Sequence, residues 1–191
     1  MVILRGMILF DRSEANVLSE LDKKKFYTIV GVSKCGTTST AKYLQSLGYS
    51  IEKADGWFDK PKFIESWANK NNQQHIVPLI ILRDPIERAW SHFHYMFQNK
   101  PYDETDDKIK AERLEKVSRL SCYTRWLGEW LDLGAVVLWY EDLIELPNFP
   151  HENKTKVKPE LDEDTSAMIN NFIMDEYYSF FTEFSPTTKT E

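Results

Sequence analysis

Apolar and polar positions along the chain fall into blocks that read as strands and helices in turn. The run Phe26-Tyr27-Thr28-Ile29-Val30-Gly31-Val32 predicts a first strand. It breaks into a Gly-containing loop, and a helix opens at Thr37 with Leu44 and Leu47 on one face and Gly48 placed to cap it. Residues 49–53 predict a short second strand, and 61–69 a helix with Pro61 near its start. His75 to Leu82 is a continuous apolar run, the pattern of a strand buried on both faces of a parallel sheet. Pro85 then stands at a first helical position, where a missing N–H costs nothing, and the helix continues from Ile86 to Phe97. A polar loop follows over 98–108, then a helical region over 109–133 with a break near Ser121. A further strand over 135–140 closes at Glu141-Asp142. Residues 147–159 are irregular and basic. Asp162 caps a last helix, expected to close over the sheet through Ile169, Phe172 and Ile173.

Strands alternating with helices predict the α/β class, a P-loop-like three-layer α/β/α arrangement with a central parallel sheet. One domain is expected over 26–184. An extension over 1–25, with 13–25 read as a short helix, precedes it, and a frayed tail over 185–191 follows. In such sheets ligands sit at the carboxyl ends of the strands.

Composition narrows the function. A chain of 191 residues, 42% hydrophobic and with six Trp, nine Tyr and eleven Phe, can bury a real core. Its net charge of −6 disfavours a nucleic-acid partner, so a positive site for a polyanion must be local. Cys35 and Cys122 lie far apart, with neither a disulfide framework nor metal-ligand spacing. No apolar run reaches the roughly 18 residues of a membrane span. Residues 1–10 are interrupted by Arg5 and lack a cleavage pattern, and they read as an extra edge strand or an appended segment. A cytoplasmic protein without a membrane span is expected.

The stretch Ser33-Lys34-Cys35-Gly36-Thr37-Thr38-Ser39, between a strand and a helix, has the layout of a phosphate cradle. The first N–H groups of the helix and its dipole favour an anion, and three hydroxyls add donors. Gly31-x4-Gly36 matches the start of the nucleotide P-loop, but that pattern demands Lys and then Ser or Thr. Here Thr37-Thr38 follow and the lysine stands inside the loop, at Lys34. Cys35 sits where a thiol pKa could fall, yet no histidine partner is placed by sequence, and a small loop residue is the favoured reading. Arg83 directly follows a buried strand, at the same sheet edge, and Ser91 stands about two helical turns further on. A guanidinium fork with a hydroxyl suits a phosphate. The alternative for Arg83 is a carboxylate partner such as Asp84 or Glu87, the role expected of Arg88. His92 and His94 read as packing or helix-surface residues. Lys154, Lys156 and Lys158 are either nucleotide contacts or a solvated face, with contact favoured for Lys154 and Lys156.

The pair of motifs at 33–39 and 83–91 (Arg-Asp-Pro-Ile-Glu-Arg-Ala-Trp-Ser) resembles the two signatures of sulfotransferases that use 3′-phosphoadenylyl sulfate. Glu52-Lys53 with Trp57-Phe58, Trp126-Leu127-Gly128-Glu129-Trp130-Leu131 and Tyr140-Glu141-Asp142-Leu143 extend the likeness toward the heparan-sulfate and Golgi-type branch. His151 to Lys156 is similar to that family's loop over the nucleotide 3′-phosphate. The resemblance implies a compact sulfotransferase fold in which residues 33–39 hold the 5′-phosphosulfate and Arg83 and Ser91 the 3′-phosphate. Lys34 would stabilise charge on the leaving 5′-phosphate and Lys53 would support the transferring group, with no metal. The product would be adenosine 3′,5′-bisphosphate. Only 49 positions separate Lys34 from Arg83, so the segment that carries the catalytic glutamate in larger relatives is missing. Glu52 is the nearest substitute as base, with Asp55 or a histidine as alternatives.

The acceptor is expected to be a small molecule or a glycan. Two rivals stand beside this reading. One is a P-loop kinase with Glu141-Asp142 as its metal site, and the other is a nucleotide-binding module without turnover.

Overall fold

The computed structural model describes residues 18–53, 64, 76–97, 107–121, 123–150 and 160–184. The chain gathers into two compact units. One comprises residues 1–84 and 126–156, and the other 85–125 and 157–191.

The first unit is built on four parallel strands, β1 (Phe26–Val30), β2 (Ser50–Lys53), β3 (Ile76–Leu82) and β4 (Val136–Trp139), in the order β2-β1-β3-β4. The α/β class with a parallel sheet is therefore what the chain adopts. The two apolar runs take the inner positions, and Tyr27, Ile29, Val30 and Leu79 to Leu82 are fully buried. Pro78 is tolerated within β3 because pairing with β4 starts only at Leu79, and β1 alone flanks it there. Helix α1 (Thr37–Ser46) links β1 to β2. It ends as expected at Gly48, whose φ of 87° suits glycine, with bonds from Gly48 N–H to the Gln45 carbonyl and from Tyr49 N–H to the Leu44 carbonyl.

The second unit holds α2 (Pro85–Phe97) and α3 (Asp107–Arg119). Helix α4 (Thr124–Asp132) then leads back to β4, so the break expected near Ser121 is present. After β4 come a single turn, α5 (Tyr140–Leu143), and a long helix, α6 (Glu163–Phe184). Asp162 caps α6 as predicted, accepting the Thr165 N–H at 2.7 Å and the Thr165 hydroxyl at 2.8 Å. These two bonds hold its carboxyl below the usual aspartate range. Ile169 and Ile173 are buried against Trp90, Phe93, Leu114 and Val117 of α2 and α3, with Phe172 packed beside them. The apolar face of α6 completes this helical core.

Three boundaries differ from the sequence pattern. β1 stops at Val30, because Gly31 and Val32 already turn into the loop. Tyr140 opens a helical turn where an unbroken apolar run predicts strand. Residues 18–25 form two successive turns and no helix, closed by bonds from Leu21 N–H to the Leu18 carbonyl and from Lys25 N–H to the Asp22 carbonyl. The helix predicted over 61–69 lies outside the described residues except Ile64, which is helical. Among the described residues no helix is long and apolar enough to cross a membrane.

Candidate functional site

The strand order fixes where a ligand would bind. From β1 the chain moves outward to β2 on one side, and from β3 it moves to β4 on the other. Connections leaving neighbouring strands in opposite directions open a crevice at their carboxyl ends, and the loop after β1 and the turn after β3 both lie at that edge.

The loop is tightly specified. Lys34 has φ 72° and Gly36 φ 81°. A non-glycine residue held there costs about 1–2 kcal/mol, so Lys34 carries backbone strain. Gly36 is required twice over, since a Cβ on it would come within 2.2 Å of the Tyr140 ring as well as forcing the strained φ. Gly36 also opens α1 with no side-chain cap, leaving the helix's positive end to the loop. Cys35 is fully buried, its N–H bonded to the Val32 carbonyl at 3.2 Å. Ser33 is exposed, Thr37 and Thr38 are partly buried in the first turn of α1, and Ser39 is buried.

Arg83 comes to this loop from β3. Its Nη1 donates to the Lys34 carbonyl at 3.0 Å, and its guanidinium lies 5.0 Å from the centre of the Tyr140 ring. Lys53, at the end of β2, donates from Nζ to the Thr38 hydroxyl at 2.9 Å. Three cations thus converge on one loop and one helix N-terminus. Burial holds the Lys34 amine below its usual range, and the Arg83 charge lowers it further. Both effects oppose the Lys34 charge, and an anion would relieve them.

The other expected residues are placed as follows. Glu52 is exposed, and strand alternation puts its side chain on the face opposite Lys53 and the buried Ile51. Ser91 is buried on α2 in the helical unit. Lys154, Lys156, Lys158 and Asp55 lie outside the described residues. His94 packs edge-on against Trp90 and Phe93, at 4.1 and 5.3 Å between ring centres. His92 receives Arg88 Nη1 at 3.2 Å on Nδ1. These contacts of both histidines lie within that unit. Arg88, expected to meet a carboxylate, donates to the Ser121 hydroxyl at 2.6 Å and to the Val117 carbonyl.

Sequence reasoning left two residues out of the site. Tyr140 wedges between Gly36 and Arg83 and rests on Phe149, and burial raises its phenol above the usual range. Glu141, assigned only to the rival metal site, accepts the Asp84 N–H on Oε1 at 2.7 Å. Their position directly after an apolar strand was the available signal.

Compared with known proteins, the chain matches no family model, and no curated protein is significantly similar to it in sequence.

Proposed function

We propose that the chain is a sulfotransferase acting from 3′-phosphoadenylyl sulfate on an acceptor hydroxyl or amine. The observation that supports this most is the meeting of Lys34, Arg83 and Lys53 at the uncapped start of α1. Such a donor set fits a ligand rich in phosphate and sulfate oxygens. When bound, the nucleotide supplies an activated sulfuryl group; the bond from sulfur to the bridging oxygen breaks as the bond to the acceptor forms, releasing adenosine 3′,5′-bisphosphate.

The chain's own residues orient and neutralise. Backbone N–H groups and hydroxyls at 37–39 hold anionic oxygens. Lys34 places a half-buried positive charge in the loop, where charge growing on a leaving phosphate is stabilised. Lys53, kept in place by Thr38, supplies a second cation from the neighbouring strand. Arg83 ties the loop to β3 through the Lys34 carbonyl and brings its guanidinium charge to the site. A carboxylate takes the acceptor proton, and Glu52 or Asp55 is the proposed base. Ser91, Lys154 and Lys156 enter this reading by resemblance alone. A small molecule or glycan is the proposed acceptor.

Isothermal titration with adenosine 3′,5′-bisphosphate, AMP and ATP–Mg²⁺ tests the reading. The bisphosphate should bind, and removal of its 3′-phosphate should abolish most of the affinity. Preference for ATP–Mg²⁺ would transfer the assignment to a kinase. Binding without turnover on a broad acceptor panel would leave a nucleotide-binding module. Glu52→Ala should spare binding and slow transfer, and normal turnover in that variant would remove Glu52 as the base.

A further inference from the structure

Glu141 touches the turn that carries Arg83, yet the anion site as described does not use it. Its Oε1 accepts the Asp84 N–H at 2.7 Å. Its Oε2 is buried and has no hydrogen-bond partner among the described residues. A buried carboxylate oxygen without a partner is costly, so its retention here calls for a reason. The nearby guanidinium of Arg83 supplies one, because a carboxylate beside it offsets part of its positive charge.

We propose that Glu141 is a positioning residue of the anion site, fixing the Arg83–Asp84 turn through the Asp84 N–H and balancing part of the Arg83 charge until an anion binds. This rests on the reading that Lys34 and Arg83 receive an anion. The titratable and charged groups around it are Arg83 and Asp84 on the turn after β3, Tyr140 beside it on α5, and Lys34, whose carbonyl accepts from Arg83. Burial holds the Glu141 carboxyl above the usual range. The Asp84 charge adds to this, while the Asp84 N–H, the residue's own N–H and Arg83 pull it down. An incoming anion brings further negative charge, favours the protonated carboxyl and so draws in a proton on the acid side. Lys34, with its lowered amine, draws one in on the alkaline side.

The probe is inorganic sulfate, whose charge is constant over the useful range. Its binding is measured by calorimetry from about pH 5 to about pH 8, in buffers of differing ionisation enthalpy, with the wild-type chain and Glu141→Gln. Gln keeps an acceptor for the Asp84 N–H while removing the charge. Wild-type affinity should fall as pH rises, with proton uptake on binding. The variant should bind sulfate roughly three- to tenfold more tightly near pH 8 and lose the acid-side uptake. Equal affinity and equal pH dependence in the two proteins would overturn the proposal. Weaker binding in the variant at every pH with unchanged pH dependence would do the same, as it would make Glu141 merely structural. Should Glu141→Gln fail to fold, absence of acid-side proton uptake in the wild type overturns the proposal alone. Sulfate binding without preference for adenosine 3′,5′-bisphosphate would sink the nucleotide reading and leave Glu141 standing. No sulfate binding at all would remove both.

Discussion

Arg83 and Arg88 belong to one sequence motif, yet they occupy opposite kinds of environment. Arg88 is fully buried in the helical unit, where the Ser121 hydroxyl, the Val117 carbonyl and the His92 ring receive its donors. Ser121 in turn donates to the Pro85 carbonyl at 2.9 Å, so the guanidinium braces the start of α2 against the end of α3. Arg83 is only partly buried, rests on an aromatic face and grips the carbonyl of a strained lysine whose charge it disfavours. One arginine is surrounded by groups that suit it. The other is set beside a second cation. Acceptors arranged around a guanidinium tie it into the fold; two cations held side by side disfavour each other's charge.

The contrast is broken most severely at Arg88. Arg88→Ala leaves a cavity and strips the partners of Ser121 and Val117, which should cost about 3–5 kcal/mol in urea unfolding. A loss below about 1 kcal/mol would mean that the brace carries little. Gly36→Ala comes next, at about 2–4 kcal/mol, because a strained φ and a collision with Tyr140 act together. Combining it with Tyr140→Ala separates the two causes. The collision term should vanish in the double variant and the backbone term should persist, giving a coupling of about 1–2 kcal/mol. Strict additivity would show that Tyr140 moves aside freely.

Arg83→Ala should reverse the pattern of Arg88. Unfolding free energy should change by less than about 1 kcal/mol, since the side chain is partly solvated. Affinity for adenosine 3′,5′-bisphosphate should nevertheless fall roughly 10- to 100-fold, the scale of one or two lost charge-assisted hydrogen bonds. A variant that unfolds as Arg88→Ala does, or binds as the wild type does, would erase the distinction between the two arginines.

Much of this was legible in the chain before folding, and what was not has a physical reason. The runs at 26–30 and 76–82 announce inner strands because both faces are buried, and Asp162 announces α6 because its carboxylate has N–H groups to satisfy. Lys34 and Arg83 were legible as residues at the carboxyl edge of the sheet. Their contact was not, because it requires β1 and β3 to be neighbours. Lys53 reaches Thr38 only because β2 flanks β1 in the register that pairs Ile29 with Lys53. The separation of Glu52 from Lys53 could have been read directly, since consecutive strand residues face opposite sides. Tyr140 and Glu141 were hidden for a different reason. An apolar run does not say where it turns, and Tyr140 leaves the strand to pack beneath Gly36 and Arg83.

The smallest expected effect concerns Lys34 itself. Its amine is held below the ordinary value of 10.5 first by burial and then by Arg83. Between its folded-state value and 10.5 the unfolded chain therefore binds more protons at this position than the folded chain does. Stability contributed by this residue must rise with pH across that window and is lacking below it. Lys34→Met removes the dependence, so the variant should match or slightly exceed the wild type in urea unfolding near neutrality and lose that advantage as pH climbs. Solvent reaching the side chain keeps the difference small. Sulfate added near neutrality should stabilise the wild type more than Lys34→Met, because the anion offsets the burial and the Arg83 repulsion that disfavour the lysine's charge. A difference that shrinks in the opposite direction with pH would mean that Lys34 already has its counter-charge in the folded chain, and the contrast with Arg88 would then disappear at the loop as well.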